Sequence, residues 1–483
     1  MRINRRNKAN RSSGRHGTAR SLQQTVSLLT AALTVAVSAC TPPAPPDTEP
    51  PVLSLPGTLT TEATSASGAT VTFVATAVDA VAGVVPVSCS PDSGSLFPVG
   101  VTTVACSASD PAGNTASGTF DVEVTEPVDA LAGATRLTAG YHHTCAIVES
   151  GEVVCWGADR RDDNDPSLVP EFVPEITGAT DIDASSSNTT CVILADGHLE
   201  CWGRNDFGQL GNGTISGLFD SNPPSPVTAI SAATDISVGL YHVCAVLDDG
   251  GVQCWGRNSN GQLGDGTTDN SAVPVAVPGV VNAVAVAAEE SSTCALLADG
   301  TVTCWGLILN SSGWYDQVTA PALNTDITGA TDIHAGSGGT MCVLTDIGAV
   351  KCWGKNSPGT LGDGTTVDSV TPVMPTGVSN ATTITSGNAH SCAVISGGTV
   401  KCWGSNQWGE LGNGTTTTWT TPNLPAHVSG ITTATAVATG AAHSCALLSN
   451  STIRCWGYNG AGGLGNGTTN DSTTPVTVLN APA

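Results

Sequence analysis

The chain has 483 residues and a formal net charge of −24, with 40 Asp and Glu against 16 Lys and Arg. Seven of those basic residues (Arg2, Arg5, Arg6, Lys8, Arg11, Arg15, Arg20) precede residue 40, where there is no acid, so the remainder carries nine against 40, a net −31. Such a body repels phosphate backbones and argues against a nucleic-acid partner, while abundant Gly, Thr, Ser, Ala and Val with few long helix formers point to an all-β chain.

Residues 26–37 (VSLLTAALTVAV) are apolar, follow the basic stretch and are too few to cross a bilayer. Residues 1–39 therefore read as an export signal. The stretch Val37-Ser38-Ala39-Cys40 resembles the bacterial lipoprotein box, in which a cysteine after small residues is diacylated and becomes the new N-terminus. The resemblance implies lipidation at Cys40 and an exported, membrane-anchored lipoprotein at the cell surface or in the periplasm. Residues 40–51, rich in Pro, form an extended tether.

Residues 52–126 read as a small β-sandwich, with alternation over Val71 to Ala77 and again over Phe120 to Val124. The run Cys89…Phe97-Pro98-Val99-Gly100…Cys106…Asp110-Pro111-Ala112-Gly113-Asn114 resembles the HYR (hyalin repeat) domain. That resemblance implies an immunoglobulin-like fold, a bridge between Cys89 and Cys106, and a role in extracellular adhesion or spacing. Asp110 to Asn114 suits a hairpin turn better than a calcium loop. No metal is expected.

From residue 130 to 483 one unit recurs. Cys-Trp-Gly occurs seven times, at Cys155, Cys201, Cys254, Cys304, Cys352, Cys402 and Cys455. Each follows another cysteine by nine intervening residues: Cys145, Cys191, Cys244, Cys294, Cys342, Cys392 and Cys445. Opposing Cys294 to Cys304 and stepping inward pairs Leu296 with Val302 and leaves Ala298-Asp299-Gly300, a three-residue hairpin loop with glycine in its left-handed place. Directly opposed cysteines can form a disulfide, and every copy is apolar two steps in from the pair, so the cystines are expected to be buried against a neighbouring blade. Zinc needs a closer Cys spacing than this, and export favours disulfides. Five copies continue with Gly-x-Leu-Gly-x-Gly-Thr, at 208–214, 261–267, 359–365, 409–415 and 462–468. Four strands per copy and seven copies predict a seven-bladed β-propeller. The pattern resembles the RCC1 (regulator of chromosome condensation) repeat, with cysteine pairs as a departure from its intracellular members.

His143, His242, His390 and His443 stand two residues before a first cysteine, and are expected to bond backbone between blades rather than hold metal. Glu289 and Glu290 are adjacent and point apart. No catalytic motif and no cofactor are indicated. Function is then expected where the repeat lapses: Arg160-Arg161 in copy one, residues 307–315 with Trp314-Tyr315 in copy four, and the additional Trp408 and Trp419. Aromatics and Arg on loops are what binding hot spots are made of. The expected role is a non-catalytic, lipid-anchored surface protein recognising a protein or glycan. The alternatives are an inhibitor of an extracytoplasmic enzyme, or an exchange-factor-like regulator by family resemblance alone.

Overall fold

The computed structural model describes residues 45–62, 68–98, 100–125, 131, 133–161, 166–310, 312–418 and 424–479. The leader, Cys40, the first part of the tether and Trp419 lie outside the described residues. All regular structure among the described residues is strand, and no helix there is long and apolar enough to cross a membrane.

The N-terminal unit is a β-sandwich. One sheet orders Leu59–Glu62, Thr115–Thr125, Gly100–Ser109 and Val87–Ser90; a second orders Val52–Ser54, Thr76–Asp79 and Gly83–Val85; Ala69–Val71 pairs with Ser95–Phe97. Phe97, Val104, Phe120 and Val122 fill the core, and Phe73 meets Phe120 edge-on with centroids 4.9 Å apart. The alternating run from Val71 to Ala77 is not one strand. The chain leaves one sheet at Val71 and enters another at Thr76, so both halves bury alternate residues against different partners. Cys89 and Cys106 are bridged within one sheet, as directly opposed residues of neighbouring strands.

Seven four-stranded antiparallel sheets follow, spanning 136–172, 179–226, 233–276, 283–324, 330–373, 381–427 and 434–477. Blade three is typical: Ala233–Val238, His242–Leu247, Val252–Gly256 and Ser271–Ala276, in chain order from the axis outward. The hairpin register follows the cysteine spacing. Cys294 opposes Cys304 and Leu296 opposes Val302, and Gly300, at φ 78°, closes the turn onto Leu297 O. In copy seven Ser451 takes that left-handed place at φ 64°. All seven pairs are disulfides with Cα atoms 4.0 or 4.1 Å apart, the close spacing of non-hydrogen-bonded partners. The glycine after each Trp has its own cause. At Gly256, φ is 106° and a Cβ would collide with the carbonyl of Tyr241.

Each cystine faces the following blade. Cys191 and Cys201 of blade two pack with Ile236, Val243 and Trp255 of blade three, and Cys445 and Cys455 of blade seven with Ala146, Val154 and Trp156 of blade one. The glycine loops complete these interfaces. Their leucines (Leu210, Leu263, Leu361, Leu411, Leu464) are fully buried, and a backbone carbonyl in each accepts the indole N–H of the next blade's tryptophan. The bonds are Trp255 to Gln209 at 2.7 Å, Trp305 to Gln262 at 2.9 Å, Trp403 to Thr360 at 2.8 Å, Trp456 to Glu410 at 2.7 Å and Trp156 to Gly463 at 2.9 Å. In four interfaces the same carbonyl also accepts a hydroxyl, from Thr293, Ser391, Ser444 or Thr144.

The repeat histidines join this array, and here the expectation is corrected. They do bridge blades, but their Nε2 atoms meet side-chain hydroxyls, not backbone: His143 with Thr190, His242 with Thr293, His390 with Ser444, and His443 with Thr144, at 2.7 to 2.9 Å. Where the hydroxyl already donates to a carbonyl it must accept from the imidazole, so these rings carry their proton on Nε2. Burial holds all four neutral, with pKa values lowered to about 3 or 4.

The seven innermost strands line an axial channel of about 350 Å³. Their inner edges would leave amides unpaired, and acids of the preceding blade cap some of them. Asp183 Oδ2 accepts Val238 N at 2.7 Å and Asp235 Oδ2 accepts Val286 N at 2.8 Å. Burial raises Asp183 to about 6 and Asp235 to about 8, the latter also through its acidic neighbours Asp181, Asp183 and Asp332.

Two outcomes follow from these interfaces. Trp202 is fully buried, like every repeat tryptophan except Trp353, but its Nε1 has no partner, because copy one lacks the glycine loop. Trp255→Phe should therefore destabilise by about 1 kcal/mol more than Trp202→Phe in urea melts, the worth of one hydrogen bond; equal costs would refute this role for the carbonyl. The second concerns pH. With its folded pKa raised from near 4 to about 8, Asp235 contributes stability that is complete below about pH 4 and is lost as pH rises through 8. Asp235→Asn should flatten the fall in melting temperature between pH 5 and 8.5 (roughly the window in which this group titrates), and an unchanged slope would show that the carboxyl is already ionised at neutral pH.

Candidate functional site

Within every blade the strands run alternately up and down from the axis outward. The connections between strands one and two and between three and four therefore share one end of the propeller, and the cystine hairpins share the other. The lapses in copies one and four are both connections between strands three and four, so they emerge on the same face.

In the five regular copies this connection is set by a buried asparagine two residues after Cys-Trp-Gly. The Oδ1 atoms of Asn205, Asn258, Asn356, Asn406 and Asn459 each accept the amide of the loop leucine, at 2.9 to 3.1 Å. Copy one has Asp159 there and copy four has Ile308. Without the asparagine and the leucine, copy four builds no plug. Its residues 307–315 are not a loop but an extended hairpin, with strand Val302–Leu309 continuing to pair with Tyr315–Asn324 through Leu309 opposite Tyr315. Asn310 holds the tip, accepting the amides of Ser312 and Trp314.

The consequence is a cleft of about 280 Å³ between blades four and five. Ile308, Tyr315, Met341 and Trp353 supply apolar wall, and Glu289 and Ser292 supply polar groups. Trp353 is the one repeat tryptophan left partly exposed, since no leucine covers it. Glu289 sits in the bend between strands one and two of blade four, 7 % exposed. Its Oε1 accepts the Ser292 hydroxyl, and its Oε2 has no partner. Burial pushes its pKa up to about 7, against the opposing pull of Ser292 and Lys355. Glu290 turns the other way, to Lys355 Nζ at 3.4 Å on the rim. Trp314 is 75 % exposed and Tyr315 39 %.

The other expected residues are dispersed over this face. Arg160 donates to Leu218 O at 2.7 Å and lies 5.7 Å from the ring of Phe219, tying copy one to the connection of blade two. Arg161 requires correction as a partner-binding residue: it is 9 % exposed, with its guanidinium engaged by Asp159 at 3.3 Å and Glu171 at 3.4 Å. Trp408 is half-exposed and begins an aromatic row across the blade-seven to blade-one junction, meeting Tyr458 at 5.3 Å, which meets His142 at 5.1 Å. A second group stacks Arg204 and Arg257 on Tyr241, beside Phe207. Trp353 and the asparagines escaped the sequence reading, and Glu289 was read only as pointing away from Glu290. Part of the signal was present: asparagine and Gly-x-Leu-Gly lapse together in copies one and four, and the lapse in copy four leaves the next tryptophan, Trp353, partly exposed.

Residues 46–124 match the HYR domain. Segments 134–162, 180–209, 233–262 and 434–462, and 196–246, 249–296, 348–394 and 397–447, match two descriptions of the regulator of chromosome condensation (RCC1) repeat, together more than half of the chain. Among curated proteins, the ultraviolet-B receptor UVR8 of Arabidopsis thaliana is 32% identical over 170 residues, which are 32% of this chain and 38% of that protein. The mitochondrial RCC1 domain-containing protein RUG3 of the same plant is 30% identical over 28% of this chain and 33% of its own length. The chain thus spans only about a third of the length of these relatives. Among solved structures, human WBSCR16 superposes with a TM-score of 0.57 at 22% identity, covering 65% of this chain and 86% of that one. Yeast RCC1 (Prp20), in its complex with Kap60, gives 0.54 at 18% identity over 73% and 86%. The repeat segments, the four-stranded blades and these folds agree: the chain belongs to the RCC1-repeat β-propellers and carries a HYR domain ahead of its propeller.

Proposed function

We propose that this chain is a non-catalytic binding protein, exported and lipid-anchored through Cys40, which presents one propeller face to a protein or glycan partner. The observation that carries the reading is the cleft between blades four and five. It joins an uncovered indole, a tyrosine and a buried carboxylate oxygen lacking a donor, beside an exposed tryptophan. Ligand sites are built this way, from apolar walls and a few convergent polar groups. A partner suits it if it inserts a hydrogen-bond donor on a flat or apolar framework, as a sugar hydroxyl or a protein side chain does. Eight disulfides fit an oxidising compartment, and the acidic surface disfavours nucleic acid. Binding rather than catalysis is supported by the four repeat histidines, which are buried and committed to interblade hydroxyls.

Two experiments test this reading. Binding of the purified chain to extracellular glycans and secreted proteins should weaken by about 2 kcal/mol or more in Trp314→Ala/Tyr315→Ala, with the melting temperature held. Normal binding by that variant places the partner surface elsewhere, and turnover of a bound glycan lost in Glu289→Gln would replace binding by catalysis. For the anchor, cells fed a labelled fatty acid should mark the wild type and not Cys40→Ser; equal labelling of both disproves lipidation there.

A further inference from the structure

The sandwich holds an acidic cluster that neither the fold nor the proposed binding face uses. Asp47 comes from the end of the tether, Asp79 from the end of strand Thr76–Asp79, and Asp110 from the turn between Gly100–Ser109 and Thr115–Thr125. Each presents a carboxylate oxygen within 4.8 Å of the other two. Asp79 and Asp110 are 3 % and 6 % exposed. Among the described residues, none of the ion pairs includes any of the three. Three like charges drawn this close, two of them out of water, repel one another unless something positive lies between them.

Asp79 shows where that charge belongs. Its Oδ1 accepts the amides of Val81 and Ala82, at 2.9 and 2.6 Å, whereas its Oδ2 is shut off from solvent and has no hydrogen-bond partner. A buried carboxylate oxygen without a donor is costly, and a cation satisfies it. The turn from Asp110 to Asn114 does form the expected hairpin, with Asn114 N donating to Asp110 Oδ1 at 2.9 Å. Asn114 Nδ2 then bridges Asp110 Oδ2 at 2.8 Å and the main-chain carbonyl of Asp47 at 3.2 Å, so the turn and the tether are already held together.

We propose that Asp47, Asp79 and Asp110 bind one calcium ion that clamps the tether onto the sandwich. The donors are all carboxylate oxygens, with no imidazole or thiolate, which selects a hard cation. Three ligands from separate segments suit the loose, high coordination of calcium better than the strict octahedron of magnesium. With calcium bound, the chain from residue 47 onward becomes a rigid continuation of the domain.

The test is calorimetric titration of Ca²⁺ into the full chain, disulfides intact and stripped with a chelator. Saturable one-site binding is expected, in the submillimolar to millimolar range of extracellular modules. Asp47→Asn is the informative variant, because Asp47 precedes the first strand and the substitution leaves its main-chain carbonyl free to accept from Asn114 as before. It should weaken Ca²⁺ binding by about tenfold or more, since affinity follows the ligand charge count. Calcium should also slow proteolysis of the tether in the wild type and not in this variant. Absence of saturable binding at millimolar Ca²⁺, an equal response to Mg²⁺, or a variant that binds within about threefold of wild type overturns the proposal.

Discussion

In five of the seven interfaces a single carbonyl organises the contact between blades. Presented by the Gly-x-Leu-Gly loop of one blade, it accepts the indole N–H of the next blade and, in four interfaces, a hydroxyl as well. The loop leucine seals the space beside it, and the cystine supplies the surface on which the neighbouring strand rests. Both donors are buried, so losing the carbonyl would leave polar groups unpaired in apolar surroundings. This dependence explains why tryptophan, leucine, asparagine and two turn glycines recur as a set. Each serves the same contact, and a change in one removes the purpose of the others.

The same interface closes the ring. Among the described residues, every blade takes its four strands from consecutive sequence, and no strand is exchanged between the ends. Closure comes from Trp156 on Gly463 O, His443 with Thr144, and the apolar packing of blade seven on blade one, the same kinds of contact that join blades six and seven. Along the axis a different device operates. The acids of inner strands cap amides of the following blade, and burial within a group of like charges raises their pKa values into the neutral range.

The cleft exists because the organising contact is omitted once at blades four and five. At blades one and two the omission is tolerated: Trp202 stays covered, with Val173 and Ile176 packed in the same cluster. At blades four and five the long hairpin stands away instead, and Trp353 and Glu289 line the space that a leucine would fill. In the sandwich, Asn114 ties the main chain at Asp47 to the turn that carries Asp110.

The cysteine spacing and the period-two pattern determined the hairpin register, the bridges and the number of blades, because a two-residue alternation and a nine-residue separation leave one way to oppose the cysteines. Copies one and four were legible as exceptions, and Trp314 is exposed as an exception should be. Other features needed partners distant in sequence. Nothing local distinguishes Arg161 from Arg160, yet Asp159 and Glu171 bury one while the other stays at the surface. The run from Val71 to Ala77 alternates as one strand does, and only the packing of two sheets divides it. Glu289, Trp353, and the meeting of Asp47, Asp79 and Asp110 depend on which segments the fold brings side by side. Burial and proximity are properties of the assembled structure, and they set the chemistry of a side chain whose identity alone the sequence supplies.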